Sequence, residues 1–112
     1  MAKILMMAMS LRKESYNKKL IKIAHQILKQ TDIHDVELMS FNDFPMPVYD
    51  GDLETKGIPK SVDELATKIS TADAIIFSTP EYNGGIPGPF KNAIDWVSRI
   101  KPAPWQHKHI LL

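Results

Sequence analysis

Two short apolar runs, Ile4–Met9 and Ala74–Ser78, and a strand-like stretch between them, Val36–Phe41, recur along the chain, and the residues between them change period. Each run is too short for an ordinary helix and suits a strand, the first and third covered on both faces. Between the first two, Leu20, Ile23, Ala24, Ile27 and Leu28 fall on one helical stripe within Asn17–Lys29, with Lys18, Lys19, Lys22, Gln26 and Lys29 opposite. A second helix starts at Ser61, where Ser61 and Glu64 have the spacing of a capping box and Val62, Leu65, Ala66 and Ile69 supply the apolar stripe. Phe90, Ala93, Ile94 and Val97 mark a third, with Pro89 in its first turn, where a missing N–H costs nothing. "NDFPMPVYDGDLETKGIP" reads as a long loop, "KPAPWQHKH" as a connector, and "ILL" at Ile110–Leu112 as the start of a fourth strand. Strands alternating with amphipathic helices predict crossover units, hence an α/β fold with a parallel sheet and helices on both faces. At 112 residues, one domain over 1–112 is expected.

Composition narrows the function. The chain has no cysteine, which excludes disulfides, thiolate metal sites and thiol catalysis and fits a cytoplasmic setting. Its net charge is +1 with no basic stripe, so nucleic acid is not the expected partner. No run reaches the ~18 apolar residues of a membrane helix, and no membrane partner is expected. The apolar N-terminal segment is followed at once by Arg12, Lys13 and Glu14 and reads as a first strand rather than a signal peptide.

In an open parallel sheet, ligands bind beyond the carboxyl ends of the strands, where strand order reverses. If the first strand is central, the loops after strands one and three border one crevice. These loops, "SLRKESYN" and "TPEYNGGIPG", are the two least ordinary connections in the chain. The first opens a helix, whose free N–H groups and dipole attract an anion. Ser10, Arg12, Ser15 and Asn17 add donors suited to a phosphate monoester. The same residues read equally as a helix cap, with Ser15 or Asn17 capping and Arg12 solvated. The spacing is neither the Gly-x-Gly-x-x-Gly fingerprint nor the Walker loop. In the second loop, Gly84 and Gly85 allow backbone geometry that other residues resist, and Pro80 and Pro87 stiffen it. Tyr82 could wall a flat ring. A tight strand-to-helix turn is the plainer alternative.

Other features point nowhere in particular. Asp50, Asp52 and Glu54 lack the remaining ligands of a calcium loop and read as a solvated loop. His107 and His109 share a face only if their segment is extended, and two ligands do not make a metal site. Ser78 and Ser98 have no Gly-x-Ser-x-Gly elbow around them. Lys91 and Asn92 either support the loop or face solvent, and Trp96 belongs to a core or an interface. A phospho-receiver domain is excluded because Met6–Met9 and Thr79-Pro80 supply no acidic cluster.

"PEYNGGIPGPFKNAIDWVSR" resembles the signature of the NADPH-dependent FMN reductase family, flavodoxin-like flavoproteins that reduce flavins, quinones, chromate and azo dyes. "SLRKESYNKKL" is similar to that family's phosphate loop, and "MPVYDGDLE" and "ADAIIFSTPEYN" also resemble it. The resemblance implies a flavodoxin-like three-layer α/β/α fold with sheet order 2-1-3-4. It implies an FMN site, with the phosphate on Ser10, Arg12, Ser15 and Asn17, Tyr16 beside them, and the ring against Pro80, Glu81, Tyr82, Asn83 and Gly84. It implies hydride transfer from NAD(P)H through FMN to a small acceptor such as a flavin or quinone, in a homodimer or homotetramer. The alternative is a flavin-binding or interaction module without turnover. Two departures stand out. Met9 occupies a position that is usually glycine, and the family's later loop, helix, fifth strand and last helix have no counterpart here. The expectation is therefore a domain truncated on its C-terminal side, with strand four as an apolar edge and weak flavin binding.

Overall fold

A computed structural model describes residues 1–112. Four parallel strands, β1 (Lys3–Ala8), β2 (Asp35–Ser40), β3 (Ala74–Ser78) and β4 (His109–Leu111), form one sheet in the order β2-β1-β3-β4. This is the expected order. Ala8 pairs with Ser40 on one side and with Ser78 on the other, so β1 is interior and its carboxyl end lies between those of β2 and β3.

Alternation along the strands divides the core. Leu5, Met7, Met9, Ile75 and Phe77 face one side, where α3 (Lys60–Thr71) supplies Val62, Leu65, Ala66 and Ile69 and α4 (Gly88–Val97) supplies Phe90, Ala93, Trp96 and Val97. Ile4, Met6 and Ala8 face the other side, under Ile21 of α1 (Tyr16–Thr31).

Here the structure corrects the sequence-based stripe. Leu20, Ile23 and Ile27 are 59%, 55% and 59% exposed, while Ile21 is buried and Ala24 and Leu28 are half-buried against the sheet. The face of α1 toward the sheet therefore runs Asn17, Ile21, Ala24, Leu28. Its rotation is fixed at one end by the Ser78 hydroxyl, which donates to Asn17 Oδ1 at 2.5 Å. A polar anchor at the head of the helix outranked the larger apolar residues on its flank.

The expected capping box is also absent. α3 begins at Lys60 after Pro59, and the Ser61 hydroxyl, already inside the helix, donates to the Pro45 carbonyl instead. Glu64 pairs with Lys60 at 3.8 Å. The long loop is not structureless. It contains a 3-10 turn at Phe41–Asp43 and a short helix, α2 (Gly51–Thr55), whose N-cap Asp50 accepts from the Asp52 N–H at 2.9 Å. Lys108 Nζ donates to the Ser70 and Ala72 carbonyls, tying the last connector to the C-terminal end of α3. Ile110 and Leu111 of β4 and the following Leu112 are exposed. No helix is long and apolar enough to cross a membrane.

Candidate functional site

Both unusual loops rise from one rim of the sheet. β1 and β3 are paired neighbours, and the pairing continues past their ends, where Met9 N–H donates to the Ser78 carbonyl at 2.8 Å. The bond from Ser78 to Asn17 then ties the end of β3 to the first turn of α1. Ser10, Arg12, Ser15 and Asn17 therefore share that rim with Pro80–Gly84.

The first loop is organised around two buried hydroxyls. Ser10 Oγ accepts from the Arg12 N–H at 3.3 Å, and Ser15 Oγ accepts from the Asn17 and Lys18 N–H groups at 3.1 and 3.4 Å. Ser15, not Asn17, is thus the N-cap of α1. In both serines only the oxygen is engaged, and the hydroxyl hydrogen remains to donate. The Arg12 side chain is exposed and forms no ion pair or hydrogen bond within the chain. Met9 is buried in the main core, directed away from the loop. Tyr16 stands apart from the others: its ring is 80% exposed and lies under Lys19 Nζ at 5.4 Å.

The second loop contains a two-residue hairpin. Tyr82 and Gly85 exchange backbone hydrogen bonds at 2.9 and 3.1 Å, and Asn83 and Gly84 between them have φ of 54° and 80°. Two successive positive φ values make a type I′ turn, the geometry that Asn-Gly favours. The special backbone positions are therefore Asn83 and Gly84, and Gly85 does not need one. Pro80 is half-buried, while Glu81, Tyr82, Asn83 and Gly84 are exposed.

Ser78 and Asn42, to which sequence reading assigns no role, and Asn92, for which supporting a loop is one of two readings, brace the loops at this rim. Ser78 clasps Asn17. Asn42 Nδ2 donates to the Leu11 carbonyl at 3.2 Å while its Oδ1 accepts from Lys18 Nζ at 2.7 Å, bracing the first loop from the end of β2. Asn92 accepts from the Tyr49 N–H at 2.7 Å and donates to the Pro47 carbonyl at 2.9 Å, pinning the loop after β2 to α4. Lys91, by contrast, pairs with Asp95 on the solvent side. The contacts of Ser78, Asn42 and Asn92 span 24 to 61 residues of sequence, so no local signal could reveal them.

The pinned loop also carries a charged cluster. Tyr49 Oη donates to Glu54 Oε1 at 2.6 Å, and Arg99 Nε donates to both Glu54 oxygens at 3.0 Å. The Tyr49 hydrogen bond, then Arg99, holds the Glu54 carboxyl below its usual range, and the same hydrogen bond raises the Tyr49 phenol. Because the folded-state value of Glu54 is depressed, the cluster stabilises the fold at neutral pH and loses that contribution as pH falls through the carboxylate range. We expect the urea midpoint gap between the wild type and Glu54→Gln to be widest near neutral pH and to close in acid. A pH-independent gap would assign the effect to packing. His107 has φ of 63° and sits in a turn before β4, so it does not share an extended face with His109.

Residues 2–112 match the family model described as NADPH-dependent FMN reductase. A NAD(P)H:quinone oxidoreductase of Solanum tuberosum is 44% identical over 100 residues, covering 88% of this chain and 50% of that protein. A quinone reductase of Escherichia coli K12 is 37% identical over 108 residues, covering 92% and 54%. Among solved structures, the flavoenzyme NAD(P)H:(acceptor) oxidoreductase FerB of Paracoccus denitrificans superposes with a TM-score of 0.81 at 34% identity, covering 98% of this chain and 58% of that one. The chain spans about half the length of the curated relatives it matches. With a flavodoxin-like sheet order and both loop motifs on one rim, the chain belongs to the NADPH-dependent FMN reductase family.

Proposed function

We propose that the chain is the FMN-binding part, one flavodoxin-like domain, of an NAD(P)H-dependent oxidoreductase that passes reducing equivalents to a quinone or similar small acceptor. The observation that carries this reading is the clasp from Ser78 to Asn17, which brings a loop with uncommitted donors beside a rigid, exposed turn. The donor set fits FMN. The Ser10 and Ser15 hydroxyls, Asn17 Nδ2 and the unpaired Arg12 guanidinium would hold the phosphate. Pro80, Glu81, Tyr82, Asn83 and Gly84 would receive the ring, partly through backbone groups on the type I′ turn. A Cβ built at Gly84 meets nothing within 4 Å, so the turn leaves open space on that side.

When bound, FMN supplies the electron transfer, and the protein's task is position and electrostatics. Ser15 fixes the first turn of α1 by accepting from the Asn17 and Lys18 N–H groups, and the helix dipole at that end favours the phosphate. Asn42 holds Leu11 and thereby the backbone between Ser10 and Arg12. Relatives named as quinone reductases support a quinone as acceptor. Exposed Leu11, Val48, Tyr82 and Ile86 support a homo-oligomer with an apolar contact near the rim, and a chain without cysteine suits the cytoplasm.

Titrating the chain with FMN should quench flavin fluorescence saturably, and NADPH oxidation should require both FMN and an added quinone. Absence of saturable quenching at millimolar protein would reject the FMN site. Binding without NADPH oxidation would reduce the chain to a flavin-binding module.

A further inference from the structure

We propose that Lys18 is a second cation of the phosphate site, held beside the first loop by Asn42 as its positioning residue. This deepens the FMN reading above and rests on it for the ligand. The phosphate of FMN carries about −1.5 to −2 charges at neutral pH, and Arg12 compensates one of them. Lys13, the other cation of the loop, is exposed and forms no ion pair, so nothing holds it toward a ligand.

Lys18 is tied to that loop at both ends. Its backbone N–H donates to Ser15 Oγ at 3.4 Å, and its Nζ donates to Asn42 Oδ1 at 2.7 Å. The same amide donates through Nδ2 to the Leu11 carbonyl at 3.2 Å, between Ser10 and Arg12. The oxygen and nitrogen of one amide group are about 2.3 Å apart, so the ammonium lies within about 8 Å of the loop backbone. The Debye length at physiological ionic strength is also about 8 Å, so a dianion held by this loop feels the ammonium.

The stability of the chain does not call for a cation here. Lys18 is the third residue of α1, where the helix dipole favours acids, and that first turn contains none. Of the four lysines of α1, Lys19, Lys22 and Lys29 are exposed, and Lys18 alone is half-buried. It has no counter-charge. Glu37 is taken by Lys3 and Lys68, and Asp43, which borders the same cavity beside β2, forms no ion pair with it. Fixing so flexible a side chain costs rotamer entropy, and an uncompensated, half-buried charge costs solvation. A phosphate bound at the loop offsets the electrostatic part twice, as counter-charge to the ammonium and as the anion that the helix terminus lacks.

The test compares FMN with riboflavin by flavin fluorescence on the 112-residue chain. Lys18→Met keeps most of the stem and removes the charge. It should weaken FMN about 3- to 20-fold and leave riboflavin unchanged, the effect of charges about 8 Å apart in a partly solvated setting. Lys29→Met removes the same charge from the last turn of α1 and should leave the ratio of the two affinities unchanged. Asn42→Leu should lower that ratio by part of the same factor, and should not lower it further in Lys18→Met. The ligand-free melting temperature of Lys18→Met should stay level or rise, because the lost charge opposed the helix dipole. An unchanged ratio in Lys18→Met, with or without a lower melting temperature, would overturn the proposal, as would an equal loss in Lys29→Met. In either case, FMN binding by the wild type would keep the reading beneath it. A further fall on adding Asn42→Leu to Lys18→Met would show the amide acting on the loop directly and would overturn its positioning role. Failure of the wild type to bind either flavin saturably would reject the FMN reading itself, and the role of Lys18 with it.

Discussion

Trp96→Ala should lose about 3–5 kcal/mol of folding stability, the usual cost of emptying a large aromatic from a packed core. Trp96 is fully buried, at the junction of α4, the main core and the loop after β2. Its ring meets Tyr49 edge to face, with centroids 5.0 Å apart at 77°. Its Nε1 donates to the Pro47 carbonyl. Domains of this size hold only about 5–15 kcal/mol in total, so the variant should sit near the unfolding threshold. Trp96→Phe separates the two contributions. It keeps most of the ring and removes the donor, and the Pro47 carbonyl keeps its bond from Asn92. No buried acceptor is orphaned, and the hydrogen bond itself should account for only about 1 kcal/mol. Urea midpoints at constant slope would measure both. A loss under ~0.5 kcal/mol in Trp96→Ala would be a surface-like value, incompatible with a core role.

The same residue illustrates what sequence can and cannot specify. Sequence reading places it in a core or an interface, and it joins Phe90, Ala93 and Val97 on the buried face of α4, where Ile94 of the expected stripe is only half-buried. Its bond to Pro47, 49 residues away, has no local signature. The order of the four strands and the three long helices was legible because β1 and β3 are short apolar runs and the long helices repeat, while α2 hid in a stretch that reads as loop. Ala74–Ser78 even has the expected limits. The rotation of α1 was not legible. Ile21 and Ile23 are chemically alike, and contacts remote in sequence, the Ser78–Asn17 bond among them, accompany the rotation that turns Ile21 to the sheet. Ser61 failed as a cap for a related reason. Pro59 starts the helix one residue early, and the Pro45 carbonyl, 16 residues upstream, captures the hydroxyl. In the candidate site, local signatures narrowed the cap to Ser15 or Asn17, and of the two glycines expected to take special backbone geometry only Gly84 does, with Asn83 rather than Gly85 beside it. The brace Asn42 was not legible, and Asn92 stood between two readings, because a side-chain amide that binds remote backbone has no pattern in one dimension.

Arg12→Ala should weaken FMN by about 10–150-fold and leave riboflavin unchanged, since a charge-assisted pair contributes roughly 1.5–3 kcal/mol and each 1.4 kcal/mol is tenfold. The comparison works because the two ligands share ring and ribityl chain and differ by a phosphate of about −1.5 to −2 charges. The substitution is also clean. Arg12 holds its own loop only through main-chain groups, its N–H to Ser10 Oγ and its carbonyl from the Ser15 N–H at 3.3 Å, and alanine retains both. Salt provides an independent check. FMN affinity of the wild type should fall as ionic strength rises, because an exposed guanidinium is readily screened, and the dependence should flatten in Arg12→Ala. Arg12→Lys should fall between the two, keeping the charge without the two-pronged geometry. If FMN and riboflavin weakened equally in Arg12→Ala, the arginine would be shaping the loop and the phosphate would lie elsewhere. If neither changed, the first loop would be a helix cap and nothing more. Ser15→Ala cannot make this distinction, because it removes the cap and a phosphate donor together. Arg12 is the member of the set whose loss separates holding the ligand from holding the fold.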